Sequence, residues 1–189
     1  MKVALIDYGA GNLRSVANAL RALGQEPAVV ADAAELGDAT HLLLPGVGSF
    51  GDCMAQLEQR GLANLIRSWV SAGRPYLGIC LGYQILFDSS DESPGVAGLG
   101  LFRGKVKRFG DVPGVKIPHM GWNEAIFKAE SPLTAGLNAQ GEPFYFVHSY
   151  YAEAAEPALV AAFSVYGFPF TCAVARANIF AVQFHPEKS

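Results

Sequence analysis

The sequence predicts an α/β protein whose central sheet is mainly parallel and flanked by helices, with antiparallel strands added in the second half. In the first half, short apolar segments alternate with segments in which apolar residues recur at helical spacing. From about residue 101 onward, only strand-like segments follow one another. Alternating strands and helices are typical of a parallel sheet that is covered on both faces.

The elements of the first half follow from this pattern. Three segments have the length and composition of buried strands: residues 2–7, 27–30 and 40–44. Two segments have apolar residues at helical spacing and are each stopped by a glycine: residues 13–23 before Gly24 and residues 62–70 before Gly73. A further apolar strand runs from there into Cys80.

The second half predicts strands without helices between them. Four segments are assigned as strands: residues 104–109, 115–118, 143–151 and 159–163. A turn at residues 166–169 separates two more, of which the last ends at Phe184. We expect these strands to extend the parallel sheet in antiparallel orientation.

Composition narrows the class of protein. The chain has 189 residues, of which 51% are hydrophobic, and a formal net charge of −3, so one domain over residues 1–189 is the simplest expectation. No basic cluster indicates nucleic acid, and no apolar run is long enough to span a bilayer. The three cysteines lack metal-ligand spacing, which predicts a reducing cytoplasm, no metal and no cofactor.

The most informative motif is Gly78-Ile79-Cys80-Leu81-Gly82. It follows an apolar strand and precedes a helical segment, which is the pattern of a nucleophile elbow with a thiol at its centre. Such a turn holds its central residue in strained backbone geometry, and glycines on both sides leave room for it. The alternative is an inert cysteine in an apolar core.

A thiol nucleophile needs a base, and the base needs an acceptor that orients it. The last strand runs into His185-Pro186-Glu187, and on an extended segment residues i and i+2 project from the same face. His185 and Glu187 therefore predict a base with its orienting carboxylate. A polar loop that closes a strand is the alternative interpretation.

An acyl-transfer site also needs donors for the developing oxyanion. The strand at residues 40–44 is followed by Pro45-Gly46-Val47-Gly48, whose glycines permit unusual peptide orientations. A backbone N–H near Val47, together with that of Leu81, could stabilise an oxyanion, although an ordinary tight turn gives the same pattern.

Two other motifs predict less. The segment 7–12 follows a strand and precedes a helix as a dinucleotide-binding loop does, but Arg14 replaces the third glycine. His119 has no nucleophile near it in the sequence, so a packed or interfacial histidine is expected there.

These motifs, in this order, resemble the class I (triad) glutamine amidotransferases, whose sheet is flavodoxin-like, and the resemblance covers nearly the whole chain. The resemblance implies Cys80 as nucleophile, His185 as base and Glu187 as its orienting group. It also assigns the oxyanion donors to Val47, Gly48 and Leu81, and glutamine binding to Gly46, Gln84, Ser149 and Tyr150.

Within this family, four segments resemble the glutaminase subunits of imidazole glycerol phosphate synthase, which serve histidine biosynthesis: residues 7–13, 45–50, 118–123 and 145–151. The resemblance implies a heterodimer with a cyclase subunit built as a (β/α)₈ barrel. Ammonia released from glutamine would pass to that subunit, and the residues implied at the interface are Asn12, Trp122 and Lys188. The flexible Gly46–Gly48 segment could turn its oxyanion donor away when no partner is bound.

Departures from the family and alternative functions remain. Tyr83 stands where many relatives carry methionine, and relatives continue past the position of Ser189 into a short helix, so a trimmed terminus with lower stability around Glu187 is expected. The alternatives are a glutaminase subunit of another amidotransferase, a stand-alone γ-glutamyl thiol hydrolase, or a binding subunit without activity.

Overall fold

A computed structural model describes residues 1–111, 113–128, 133–138 and 140–189. In its first half, strands and helices alternate: β1 (Val3–Ile6), α1 (Leu13–Ala22), β2 (Ala28–Val30), β3 (His41–Gly46), α2 (Phe50–Gln59), α3 (Leu62–Ser71), β4 (Tyr76–Cys80) and α4 (Leu81–Gln84). The predicted α/β pattern of this half is confirmed. The prediction did not include α2, although Ser49 caps it by accepting from the Asp52 N–H, and its buried residues recur at helical spacing.

The second half consists of strands: β5 (Ser89–Ser90), β6 (Gly104–Arg108), β7 (His119–Phe127), β8 (Glu142–His148), β9 (Tyr150–Ala154), β10 (Val160–Tyr166), β11 (Phe168–Arg176) and β12 (Ile179–Val182). Short 3₁₀ turns at Ala33–Leu36, Pro157–Leu159 and Pro186–Lys188 complete the described elements.

The strands form one sheet in the order β2-β1-β3-β4-β12-β11-β10-β7-β8, with β5, β6 and β9 branching from it through β11. From β2 to β12 every neighbouring pair is parallel, and from β12 to β8 every pair is antiparallel. The predicted mixture of a parallel sheet and antiparallel additions is therefore confirmed.

Two strand predictions in the second half are wrong. Residues 115–118 form no strand, because Pro118 has no N–H to offer a ladder and β7 begins only at His119. The segment 143–151 is two strands that meet at Ser149, since β8 pairs with β7 whereas β9 pairs with β6 and β11.

The two faces of the sheet bury separate apolar cores. Successive residues of β1 and β3 alternate between them, so Ile6 and Leu44 pack beneath α2 and α3, whereas Leu5 and Leu43 pack on the face that α1 covers. The carboxyl ends of β3, β4 and β12 meet at one edge between these layers, which is where sites form in such sheets. No helix among the described residues has the length and apolar character to cross a membrane.

Candidate active site

Cys80 lies at the junction of β4 and α4 in the strained turn that the motif predicts. Its φ is +55° and its ψ is −107°, a conformation that non-glycine residues rarely adopt. The flanking glycines are required by space, because a Cβ on Gly78 would come within 2.3 Å of the Gly82 carbonyl oxygen, and one on Gly82 within 2.0 Å of that of Leu44. The sequence therefore builds an elbow that presents the sulfur at the edge of the sheet.

Sheet register brings His185 to the same edge. β12 lies beside β4 in parallel orientation with Val182 opposite Ile79, so the residues that follow β12 pass the end of β4. Cys80 and His185, more than a hundred residues apart in the sequence, both line a pocket of about 310 Å³.

Glu187 holds the imidazole of His185, but the backbone between them is not extended. Residues Pro186–Lys188 form a 3₁₀ turn, which corrects the expectation of an extended His-Pro-Glu. The turn places Oε1 of Glu187 2.9 Å from Nδ1 of His185, with both side chains at most 4% exposed. Since the carboxylate accepts at Nδ1, Nε2 is left free to exchange a proton with Cys80.

The surroundings of His185 favour its charged form. Burial alone would lower its pKa, but the neighbouring Cys80 and Glu187 together outweigh burial and raise the pKa to about 9. Among the described residues, the buried Nε2 atom has no hydrogen-bond partner. Hydrogen bonds between an active-site base and its nucleophile often tighten only when substrate is bound.

Most of the predicted site residues share this pocket with Cys80 and His185: Val47, Gly48, Leu81, Gln84, Ser149 and Tyr150. Gly46 is not among the lining residues; it pairs with Cys80 across the strands, where a Cβ would come within 2.7 Å of the Leu81 side chain. Sequence reasoning missed Glu92 and His148, which also line the pocket.

The N–H of Val47 does not point into the pocket. It donates to the hydroxyl oxygen of Tyr8, and that hydroxyl donates back to the Val47 carbonyl, each at 3.1 Å. Tyr8 is buried, which raises the pKa of its hydroxyl and keeps it protonated. Sequence reasoning missed Tyr8, because nothing in segment 7–12 indicates a contact with residue 47.

The residues predicted at a partner interface lie on one side of the molecule. Trp122 is 61% exposed and its ring meets that of Tyr145 edge-on. The ammonium of exposed Lys188 lies 4.7 Å from the centre of the same Tyr145 ring. Asn12 immediately precedes α1, and α1 packs against the turn that carries Lys188.

His119 is a packed histidine, as predicted. It is 2% exposed, and its Nδ1 lies 2.9 Å from Nε2 of His148. Among the described residues, no three His, Cys, Asp or Glu side chains are grouped as a metal ion would require.

Comparison with known proteins agrees with this geometry. The family model described as glutamine amidotransferase class-I matches residues 4–189. The chain belongs to the class-I glutamine amidotransferases. The family relationship makes this chain an enzyme, and its Cys80 elbow lies at the carboxyl edge of the parallel strands, where ligands bind in such sheets.

Curated relatives within the glutamine amidotransferase family are similar over nearly the whole chain. The imidazole glycerol phosphate synthase subunit HisH of Methanothermobacter thermautotrophicus is 51% identical, with 99% of this chain and 91% of the relative covered. The subunit of the same name from Aromatoleum aromaticum is 50% identical with the same coverage.

Solved structures share the fold of this chain. A structure titled as a glutamine amidotransferase matches with a TM-score of 0.78 at 20% identity, covering 100% of this chain and 92% of the other. A structure of PurLQS from Thermotoga maritima matches with a TM-score of 0.78 at 24% identity, covering 98% and 87%.

Proposed function

We propose that this amidotransferase is the glutaminase subunit of an imidazole glycerol phosphate synthase, which hydrolyses glutamine and delivers the ammonia to a partner subunit. The observation that carries the proposal is the pocket shared by the Cys80 elbow and the Glu187-held imidazole of His185. The relatives at about 50% identity over the whole chain support the choice of synthase.

The chemistry follows from the order of these groups. The Cys80 sulfur attacks the side-chain amide carbon of glutamine, and the proton of the thiol passes through Nε2 of His185 to the departing nitrogen. Ammonia leaves and a γ-glutamyl thioester with Cys80 remains. Water, deprotonated by His185, then breaks the thioester to give glutamate and regenerates the thiol. Glu187 keeps the imidazole in the tautomer that both proton transfers need.

The walls of the pocket suit a free amino acid. Glu92 brings a carboxylate, which complements the α-ammonium group of glutamine. Gln84, Ser149 and Tyr150 also line the pocket and bring polar groups that can hold the substrate's carboxylate and amide. Gly46 contributes indirectly, because its lack of a side chain allows β3 to pack closely against Leu81.

The oxyanion hole is assigned to the N–H groups near Val47 and Gly48 and at Leu81. Leu81 is the first residue of α4, and N–H groups of a first helical turn have no partner within the helix. The Val47 N–H is turned to Tyr8 instead, which supports the idea that the donor is withheld until a partner binds. Removing one oxyanion donor costs about 10²- to 10³-fold in rate, so this control would be steep.

The partner is proposed to be a cyclase subunit with a (β/α)₈ barrel, bound as a heterodimer at the face with Asn12, Trp122 and Lys188. A sealed interface would keep ammonia unprotonated and therefore nucleophilic. We take residues 1–189 as one domain, which the single sheet through both halves supports. The three free cysteines support a reducing compartment such as the cytoplasm.

The test is a Cys80→Ala variant, assayed together with the cyclase subunit. Synthesis driven by glutamine should be lost, and synthesis driven by added ammonium salt should persist at the rate of the unmodified complex. Glutamine-driven synthesis that survives the substitution would remove Cys80 from the mechanism. Hydrolysis of γ-glutamyl peptides by the chain alone, at the rate of the complex, would instead favour a stand-alone thiol hydrolase.

A further inference from the structure

One polar side chain at the site has no part in the mechanism above. Gln183 is completely buried, two residues before His185, and its backbone N–H is already satisfied by the Cys172 carbonyl. Its side-chain amide nitrogen lies 3.7 Å from the Cys80 sulfur, within hydrogen-bond range for sulfur. Gln183 directly follows the apolar strand β12. Burying a side-chain amide there is costly unless its polar atoms are paired, so the contact with the sulfur needs an explanation.

The direction of the Gln183 amide is fixed by a backbone carbonyl. The Tyr150 carbonyl oxygen can only accept, so the Gln84 atom 3.1 Å from it must be the amide nitrogen. That nitrogen also donates, over 2.9 Å, to the side chain of Gln183, which must therefore turn its oxygen toward Gln84. The amide nitrogen of Gln183 consequently faces the sulfur and donates to it.

The same carbonyl is held from its other side. His148 donates from Nδ1 to the Tyr150 oxygen at 2.7 Å, which makes its Nε2 an acceptor for Nδ1–H of His119 at 2.9 Å. Nε2 of His119 in turn accepts from the amide of Asn123 at 3.2 Å. Burial lowers the pKa of His148 to about 3 and that of His119 to about 4, so both rings stay neutral and the direction of each bond is preserved.

We propose that Gln183 is a positioning residue for the nucleophile: its N–H, aimed by Gln84 and the Tyr150 carbonyl, holds and stabilises the thiolate of Cys80. The inference rests on the proposed function, since it concerns Cys80 as the attacking group. The sulfur then has the imidazole of His185 as its proton acceptor and the amide of Gln183 as a fixed donor. Because the Gln183 amide does not titrate, it keeps donating to the sulfur and holds the thiolate in position while the proton is on His185.

Two substitutions of similar length separate the roles of this amide. Gln183→Met removes both polar atoms, whereas Gln183→Glu keeps an acceptor for Gln84 and places a carboxylate against the sulfur. The rate of Cys80 alkylation by iodoacetamide is measured across pH on the full chain. The midpoint of alkylation should rise by about one pH unit in the Met variant and by more in the Glu variant.

The other cysteines report folding in the same experiment. Cys53 and Cys172 are at most 1% exposed and should stay unmodified as long as the variant is folded. A purely structural role for Gln183 predicts slower turnover with an unchanged alkylation midpoint in folded variants, and that result would overturn the proposal.

A measurement on the unmodified chain decides the matter even if both variants unfold. The side-chain amide resonances of Gln183 should shift with pH at the same midpoint as Cys80 alkylation, and they should stop shifting in Cys80→Ala. Gln183 amide resonances that do not change when Cys80 ionises would refute the hydrogen bond between Gln183 and the sulfur. If Cys80 of the unmodified chain resists alkylation at every pH, the proposed function itself fails; normal alkylation without the amide shift rejects only the role of Gln183.

Discussion

Replacement of Tyr8 by phenylalanine is predicted to raise the glutaminase activity of the chain without its partner. The Tyr8 hydroxyl accepts from the Val47 N–H and donates to the Val47 carbonyl, and so keeps this N–H out of the proposed oxyanion hole. The phenylalanine ring fills the same buried space but offers no hydroxyl. The peptide is then free to turn its N–H toward the substrate.

The size of the effect follows from the bonds that are lost. Val47 is 42% exposed, so water can replace the hydroxyl and the loss is close to the net value of an ordinary hydrogen bond, about 1 kcal/mol each. Two bonds correspond to about 2 kcal/mol, or about 30-fold in the balance between the two peptide orientations. We therefore expect partner-free hydrolysis to rise by about 5- to 30-fold, with little change in KM.

The assay is glutamate release by the chain alone and in complex with the cyclase subunit. In the complex the two proteins should differ little, because in our proposal the partner already favours the turned peptide. Tyr83→Phe is the matched control: it also removes a buried hydroxyl, one that donates to the Thr171 carbonyl, and it should not raise the rate. A Tyr8→Phe chain that is folded but no faster than the unmodified chain would refute the withheld-donor argument.

Two further predictions concern stability. Burial depresses the pKa of His119 and His148 to about 4 and about 3, so their stabilising contribution is complete above about pH 6.5 and is lost as pH falls toward those values. At about pH 5 each of the two histidines should lower the free energy of unfolding, measured in urea, by about 2 kcal/mol relative to neutral pH. A variant with glutamine at both positions should not show this decrease. In Gly82→Ala the new Cβ would clash with the Leu44 carbonyl oxygen, so the free energy of unfolding measured with denaturant should fall by about 3 kcal/mol. Gly110→Ala is the control: its Cβ would have nothing within 4 Å, and its free energy of unfolding should fall by under about 0.5 kcal/mol. Equal losses in the two variants would contradict the steric argument.

The local parts of the site could be predicted from the sequence because neighbouring residues determine them. The elbow at Cys80 needs a strand, two glycines and a helix within a few residues, and the sequence pattern predicts each of these. The contact of His185 with Glu187 is also local, and it was expected even though the turn between them is 3₁₀ rather than extended. The parallel order of the first strands followed from alternation of strands and helices.

The contacts that we propose to control the site depend on register between distant segments. Tyr8 reaches Val47 because β1 and β3 are parallel neighbours, and the pairing of Val3 with His41 sets which residues meet beyond the strand ends. No pattern within either segment carries that information. The same holds for Glu92, which reaches the pocket from a loop and accepts from the Phe50 N–H at the start of α2.

The break at Ser149 explains why the pocket exists at all. A single strand over residues 143–151 would keep one set of neighbours and leave no reason for its backbone to face Cys80. The chain leaves β7 at His148 and pairs with Arg108 of β6 at Tyr150, and after this change of partner the Tyr150 carbonyl accepts from the side chains of Gln84 and His148. The strand change thus supplies both a wall of the pocket and the acceptor that fixes the amides behind the nucleophile, and a sequence pattern that repeats every two residues cannot reveal it.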